Sequence, residues 1–169
     1  VLKTPQGTIA ESGAIMRYAA SLAGLDSDNL YTQGKINEII DVIDGWRTSF
    51  SPTFYIDDLD EKIAARKALF EPGAKIDAGL KDLETLFENS QTGWIAGTED
   101  MTLADVKAFL NTFMMFSGQF DGIEETMIQP YPLLLEYHQK MANHPGIMSY
   151  YDREDEWRWV YKPEAFSND

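Results

Sequence analysis

From residue 30 onward, apolar side chains recur every three or four positions and almost nowhere at every second one. Ile36, Ile39, Ile40, Ile43 and Arg47 keep helical spacing, with Trp46 and Phe50 widening the apolar edge. Ile76, Leu80, Leu83 and Phe87 form a clean stripe. Thr102 opens the most apolar stretch, in which Val106, Phe109, Leu110, Phe113 and Met114 lie close together with few charges between them. Leu134, Tyr137, His138 and Met141 mark a further helix, with Pro132 near its first turn, where a missing N–H costs nothing. A repeat of this period buries one stripe of each helix against its neighbours. The chain is therefore expected to be mainly α, with the helix that follows Thr102 in the middle of a bundle. A polar helix is expected over 60–70, ending near Pro72, then a loop over 91–101 and a short last helix over 145–151. The tail, 152–169, carries Trp157, Trp159, Tyr161 and Phe166 and is expected to pack back onto its own domain.

The first residues read differently. Residues 1–4 and 8–10 are short strands, and Thr4-Pro5-Gln6-Gly7 between them places proline and glycine where a type I turn takes them. A helix starts at Ser12, carries Ile15, Tyr18, Ala19 and Leu22 on one face, and stops at Gly24. Residues 23–29 are a polar connection. Two units follow from this division: a hairpin and helix over 1–25, and an all-helical domain over 30–169.

Composition removes several classes of function. With 28 acidic against 14 basic side chains the net charge is −14, which repels phosphate backbones and anionic lipid, so neither nucleic acid nor a membrane surface is an expected partner. A small anion stays possible, because a helix N-terminus outweighs the global field locally. The chain has no cysteine, which excludes disulfides, thiolate metal sites and a cysteine nucleophile, and suits the cytoplasm. His138 and His144 share no metal-ligand spacing and read as structural.

Two motifs carry local chemistry. In Glu11-Ser12-Gly13-Ala14-Ile15 a strand gives way to a helix with serine at the N-cap. The Ser12 hydroxyl and the first free N–H groups suit a carboxylate, and Glu11 suits an ammonium group, so the pair suits an amino acid's two charged groups. Plain capping explains the same two residues, and the residues alone leave both readings open. In Thr102-Leu103-Ala104-Asp105, threonine at the N-cap and an acid three positions on form a capping box that starts the central helix.

Taken in order, three segments resemble the glutathione S-transferase family, nearest its sigma, mu and pi classes. Leu2-Lys3-Thr4, Gly7, Glu11-Ser12-Gly13-Ala14-Ile15 and Arg17-Tyr18 look like the end of that family's thioredoxin-like glutathione-binding domain. Gly93-Trp94-Ile95-Ala96-Gly97 with Met101-Thr102-Leu103-Ala104-Asp105 resembles the approach to its central helix, and His144-Pro145-Gly146-Ile147 the approach to a late one. The resemblance implies a C-terminal all-helical bundle preceded by the last hairpin and helix of a thioredoxin-like domain. It implies glutathione as a substrate, transferred to a small hydrophobic electrophile, and a homodimer. By the same resemblance Glu11 and Ser12 hold glutathione's γ-glutamyl end, and Asp44, in the first long helix, reaches the neighbouring subunit's glutathione. An ordinary exposed helix position is the other reading of Asp44. The family's thiolate-activating tyrosine or serine and its cis-proline belong to a segment before Val1, of roughly 50 residues or more if one βαβ unit takes about 30. The natural protein is thus expected to be longer. Trp46, Phe50, Phe54 and Tyr55 read as core or interface, and by the resemblance the same residues could form a wall for the electrophile. A non-catalytic subunit of a larger assembly, as in translation-factor complexes with this fold, is the alternative function.

Overall fold

The computed structural model describes residues 1–151, and the aromatic tail with Trp157, Trp159, Tyr161 and Phe166 lies outside the described residues. Strands β1 (Leu2–Thr4) and β2 (Gly7–Ile9) pair antiparallel, with Leu2 opposite Ile9 and Thr4 opposite Gly7. The loop is Pro5-Gln6, tied by the Thr4 hydroxyl donating to the Gly7 carbonyl at 2.9 Å. Helix α1 (Ser12–Leu22) follows, then α2 (Leu30–Thr48), α3 (Leu59–Ala68), α4 (Lys75–Asn89), α5 (Leu103–Met115), α6 (Pro132–Ala142) and α7 (Pro145–Tyr151). The described chain is mainly helical, a bundle with a two-stranded hairpin at its start.

Sequence explains most helix ends. Asn29 caps α2, its side-chain oxygen accepting from Tyr31 N–H at 3.0 Å and Thr32 N–H at 3.1 Å. Asp58 caps α3 by accepting from Glu61 N–H at 2.9 Å. That helix therefore begins at Leu59 and closes at Ala68, two residues short of the expected end. Two short 3-10 segments, Ser51–Tyr55 and Glu125–Ile128, have no apolar period of their own and were not legible as helix.

Helix α5 lies against α2 and α6, and α4 packs on both as well. Ile40, Ile43, Ile76, Leu80, Leu83, Phe109 and Phe113 have no more than rounding-level exposure and form the centre of the core. Helices α2 and α4 meet closely where Gly79 faces Trp46: a Cβ on that glycine would sit 2.5 Å from the indole Cδ1. Helix α1 is stitched to the bundle. Ala20 enters the core, Arg17 donates to Asn37 at 2.5 Å and to Asp41 at 2.6 Å, and Leu103 N–H donates to the Leu25 carbonyl at 2.8 Å.

The buried face of α5 differs from the expected one. Ala104, Ala108, Phe109, Thr112, Phe113 and Met115 point inward, whereas Leu110 is 38% exposed and Val106 and Met114 are only half-buried. The helix is apolar on more sides than the core consumes, so part of its apolar surface is left at a margin of the bundle. No helix among the described residues is long and apolar enough to cross a membrane.

Candidate functional site

The start of α1 is exposed, and its backbone is unusual. Glu11 has φ 67° and ψ 123°, the one non-glycine residue with positive φ among those described. Such a conformation costs on the order of 1–3 kcal/mol and persists only where its surroundings impose it. Here β2 must turn sharply into α1, and the Glu11 carbonyl is already committed to the helix, accepting from Ile15 N–H at 3.0 Å. Glu11, not Ser12, therefore occupies the N-cap position, and its side chain makes no capping bond. This corrects the sequence reading of Ser12 as the cap: Ser12 is the first residue of the helix proper. Its hydroxyl is exposed, next to first-turn N–H groups that have no intrahelical acceptor. An open groove of about 420 Å³ runs beside the hairpin, lined by Thr4, Gln6, Gly7, Thr8, Ile9 and Tyr18. Gln6 and Thr8 on the hairpin and Tyr18 on α1 bring polar groups there; the sequence reading placed Tyr18 only on one face of its helix and gave Gln6 and Thr8 no binding role.

Asp44 lies apart from this place in its contacts. Its Oδ1 accepts from Lys107 Nζ on α5 at 2.8 Å and faces Arg47 Nη1 at 3.6 Å. The Asp44 side chain is about half exposed and that of Lys107 only 12% exposed. The sequence reading missed this cluster. Its one advance sign was a lysine in the second turn of the most apolar helix, where a cation gains nothing from the helix dipole.

Asp105 is fully buried. Its carboxylate accepts from Ile95 N–H at 2.8 Å, Thr102 N–H at 2.8 Å and the Thr102 hydroxyl at 2.9 Å, and Tyr137 donates to the Asp105 carbonyl at 2.8 Å. Burial raises its pKa above the usual carboxylate value, and the bonds from Ile95 and Thr102 offset only part of the rise. Its contacts run to the loop before α5 and to α6, so it organises the fold near the start of α5. Lys140 closes the same loop from α6, donating to the Thr92 and Gly93 carbonyls at 3.2 and 2.7 Å and standing 3.5 Å over the Trp94 ring.

Of the four aromatics expected as core or wall, Trp46 and Phe50 are buried, whereas Phe54 and Tyr55 are 52% and 86% exposed. His138 is buried between the rings of Phe109 and Phe113, at centroid distances of 5.3 and 4.3 Å. Burial pushes its imidazole down to about 4. Among the described residues no group of three or more acidic or histidine side chains is placed to hold a metal ion.

The family model described as "Glutathione S-transferase, C-terminal domain" matches residues 44–154. Among solved structures, prostaglandin synthase D of Nilaparvata lugens is 20% identical with a TM-score of 0.74, the match covering 90% of this chain and 72% of that one. Rat hPGDS, solved in complex with a quinoline, is 20% identical with a TM-score of 0.72, covering 89% and 70%. The Pi-class glutathione S-transferase of Onchocerca volvulus is 19% identical with a TM-score of 0.69, covering 87% and 66%. At these identities the likeness is one of fold. No curated protein sequence matches the chain.

Proposed function

Since the chain belongs to the glutathione S-transferase family through its C-terminal domain, we propose that the protein conjugates glutathione to small hydrophobic electrophiles, or isomerises them with glutathione's help. The observation that carries the reading is Glu11, held at positive φ immediately before an exposed Ser12 at the start of α1. Strain kept at an exposed polar turn, rather than relieved by a glycine, points to a binding role. Ser12 and the first-turn N–H groups donate to the γ-glutamyl carboxylate, and Glu11 pairs with the ammonium group beside it. Asp44 reaches the glutathione of a second copy in a homodimer. In the reaction the cysteinyl thiol of glutathione gives its proton to solvent, the thiolate forms a carbon–sulfur bond, and a leaving group such as chloride departs with the bonding electrons. The protein orients the tripeptide and stabilises the thiolate, while glutathione supplies the nucleophile. A cytoplasmic location fits a soluble substrate and a chain without cysteine.

The test uses the full natural protein. Retention on immobilised glutathione and turnover of a chloro-nitroaromatic acceptor are expected. Ser12→Ala is expected to raise KM for glutathione about tenfold with a smaller change in kcat, as loss of a bond to a charged group costs about 1.5 kcal/mol. A protein neither retained nor active rejects the reading, and its co-purification with a larger assembly would then support a non-catalytic subunit.

A further inference from the structure

Residues 116–124 link α5 to the short turn at Glu125–Ile128 and are fastened to one face of α3. Ile63, Arg66 and Lys67, one turn apart, make that face. The buried Arg66 donates through Nη1 to the Asp121 carbonyl at 3.1 Å and to its carboxylate at 3.3 Å. Gly122 lies so close to Ile63 that a Cβ would come within 2.7 Å of the Ile63 Cγ2. Lys67 faces Glu124 at 3.7 Å. On the other side of Asp121, the Phe120 ring meets those of Phe50 and Phe54 edge to face at 5.1 and 5.9 Å. Asp121 is thus pinned through both neighbours while its own side chain is 59% exposed.

The residue after Asp121 sets its chemistry. Of the two Asp-Gly pairs in the chain, Asp44-Gly45 lies within α2 and Asp121-Gly122 lies in a loop. Ile123 N–H donates to the Phe120 carbonyl at 3.0 Å, which closes a turn with Asp121 and Gly122 at its centre. Gly122 has φ 80°, the value a type II turn takes at its third residue. One Arg66 nitrogen holds both the carbonyl oxygen and the carboxylate of Asp121, so the two lie on the same side of the chain. The Gly122 nitrogen, bonded to that carbonyl carbon opposite the oxygen, points away. Rotation of this peptide plane converts a type II turn into type I and exchanges oxygen for nitrogen. Glycine accepts either φ, and it has no side chain to bar the approach. In the flipped turn the amide nitrogen lies against the carboxyl carbon, whereas the bond from Arg66 to the carbonyl favours the unflipped one.

We propose that Asp121 is a site of self-modification, converted through a succinimide to isoaspartate when the Asp121-Gly122 peptide flips away from Arg66. The Gly122 nitrogen bonds to the Asp121 carboxyl carbon, and one carboxyl oxygen leaves as water with the amide proton and a proton from solvent. Water then opens the ring. Attack at the former side-chain carbonyl restores aspartate. Attack at the former main-chain carbonyl gives isoaspartate, in which the main chain runs through Cβ and the carboxylate stays on Cα. The main chain is then longer by one carbon. Phe120, held among aromatic rings, and Gly122, pressed on Ile63, leave no slack for that atom, so the loop is forced off α3.

The experiment ages the full protein in neutral buffer made with heavy-oxygen water. Its peptides are then mapped by mass spectrometry with electron-transfer fragmentation, which distinguishes isoaspartate from aspartate. Isoaspartate carrying one heavy oxygen is expected at Asp121 and not at Asp44, whose peptide is fixed by the hydrogen bonding of α2. In denaturant both pairs are expected to react alike. Arg66→Lys, which keeps the charge and loses the guanidinium's fixed fork of donors, is expected to speed conversion at Asp121 several-fold and leave Asp44 untouched. Limited proteolysis is expected to cut aged protein within 116–124 faster than fresh protein. A native protein unmodified at Asp121, whose denatured chain is modified there, overturns the proposal. Equal modification of Asp121 and Asp44 in the native protein also overturns it, because the reaction would then come from the unfolded chain. A folded Arg66→Lys variant with an unchanged rate overturns the part given to Arg66. Should that variant fail to fold, the native ratio of Asp121 to Asp44 decides.

Discussion

At Glu11 a single backbone angle sets stability against binding. Glycine adopts that conformation without strain, so Glu11→Gly is expected to stabilise the protein by about 1 kcal/mol while weakening retention on glutathione. Chemical denaturation and glutathione-affinity elution read the two effects, and a variant that is destabilised would remove strain as the explanation. His138 acts through its proton. Its pKa is about 4 in the folded chain and about 6.5 unfolded, so below pH 6.5 the unfolded chain binds more protons. The stability tied to a neutral His138 is complete above pH 6.5 and is lost as pH falls to about 4, in total about 3 kcal/mol. Unfolding midpoints across that window, compared with His138→Met, should show the slope diminish in the variant. Neither effect was legible in the sequence. A glutamate before a serine does not announce its φ, and a histidine on a helical stripe does not announce which aromatic rings enclose it.

Among the elements, α5 depends on its first turn. Asp105→Ala would strip acceptors from two buried N–H groups and one hydroxyl, so a loss of about 3 kcal/mol is expected. Thr102→Ala removes only a hydroxyl and is expected to cost about 1 kcal/mol. Urea denaturation of both variants checks the order, and equal losses would show that Asp105 matters only as a local cap. The Thr102-to-Asp105 spacing was visible in the sequence because both ends of that contact lie in one turn. The bonds from Ile95 and Tyr137 were not, since they come from a loop and from α6. The same holds for Arg66 in α3, read as part of a polar helix. Its guanidinium is buried, lies 5.3 to 5.8 Å from the centroids of Phe50, Phe54 and Phe120, and donates to the Asp121 carbonyl at 3.1 Å.

For the molecule as a whole, α2 and α4 leave a second shallow recess of about 260 Å³ that includes Ile39, Val42 and Leu86, and Val42 is 42% exposed. An exposed apolar flank on the longest helix suits the homodimer proposed with the function, whose two-fold axis would bring the same patch together from both copies. Sedimentation equilibrium is expected to give about twice the chain mass, and Val42→Glu about once; a native protein that sediments as a monomer would place the dimer in error. The sequence by itself determined the helical architecture, the hairpin, the capping box at Thr102, and the family, because period, cap chemistry and motif spacing are local properties of a chain. Tertiary structure alone decided which face of α5 is buried, that Asp44 meets Lys107, and that Arg66 lies among three aromatic rings. Those contacts join residues tens of positions apart, and they exist only once helix crossing has fixed which turns of two helices touch.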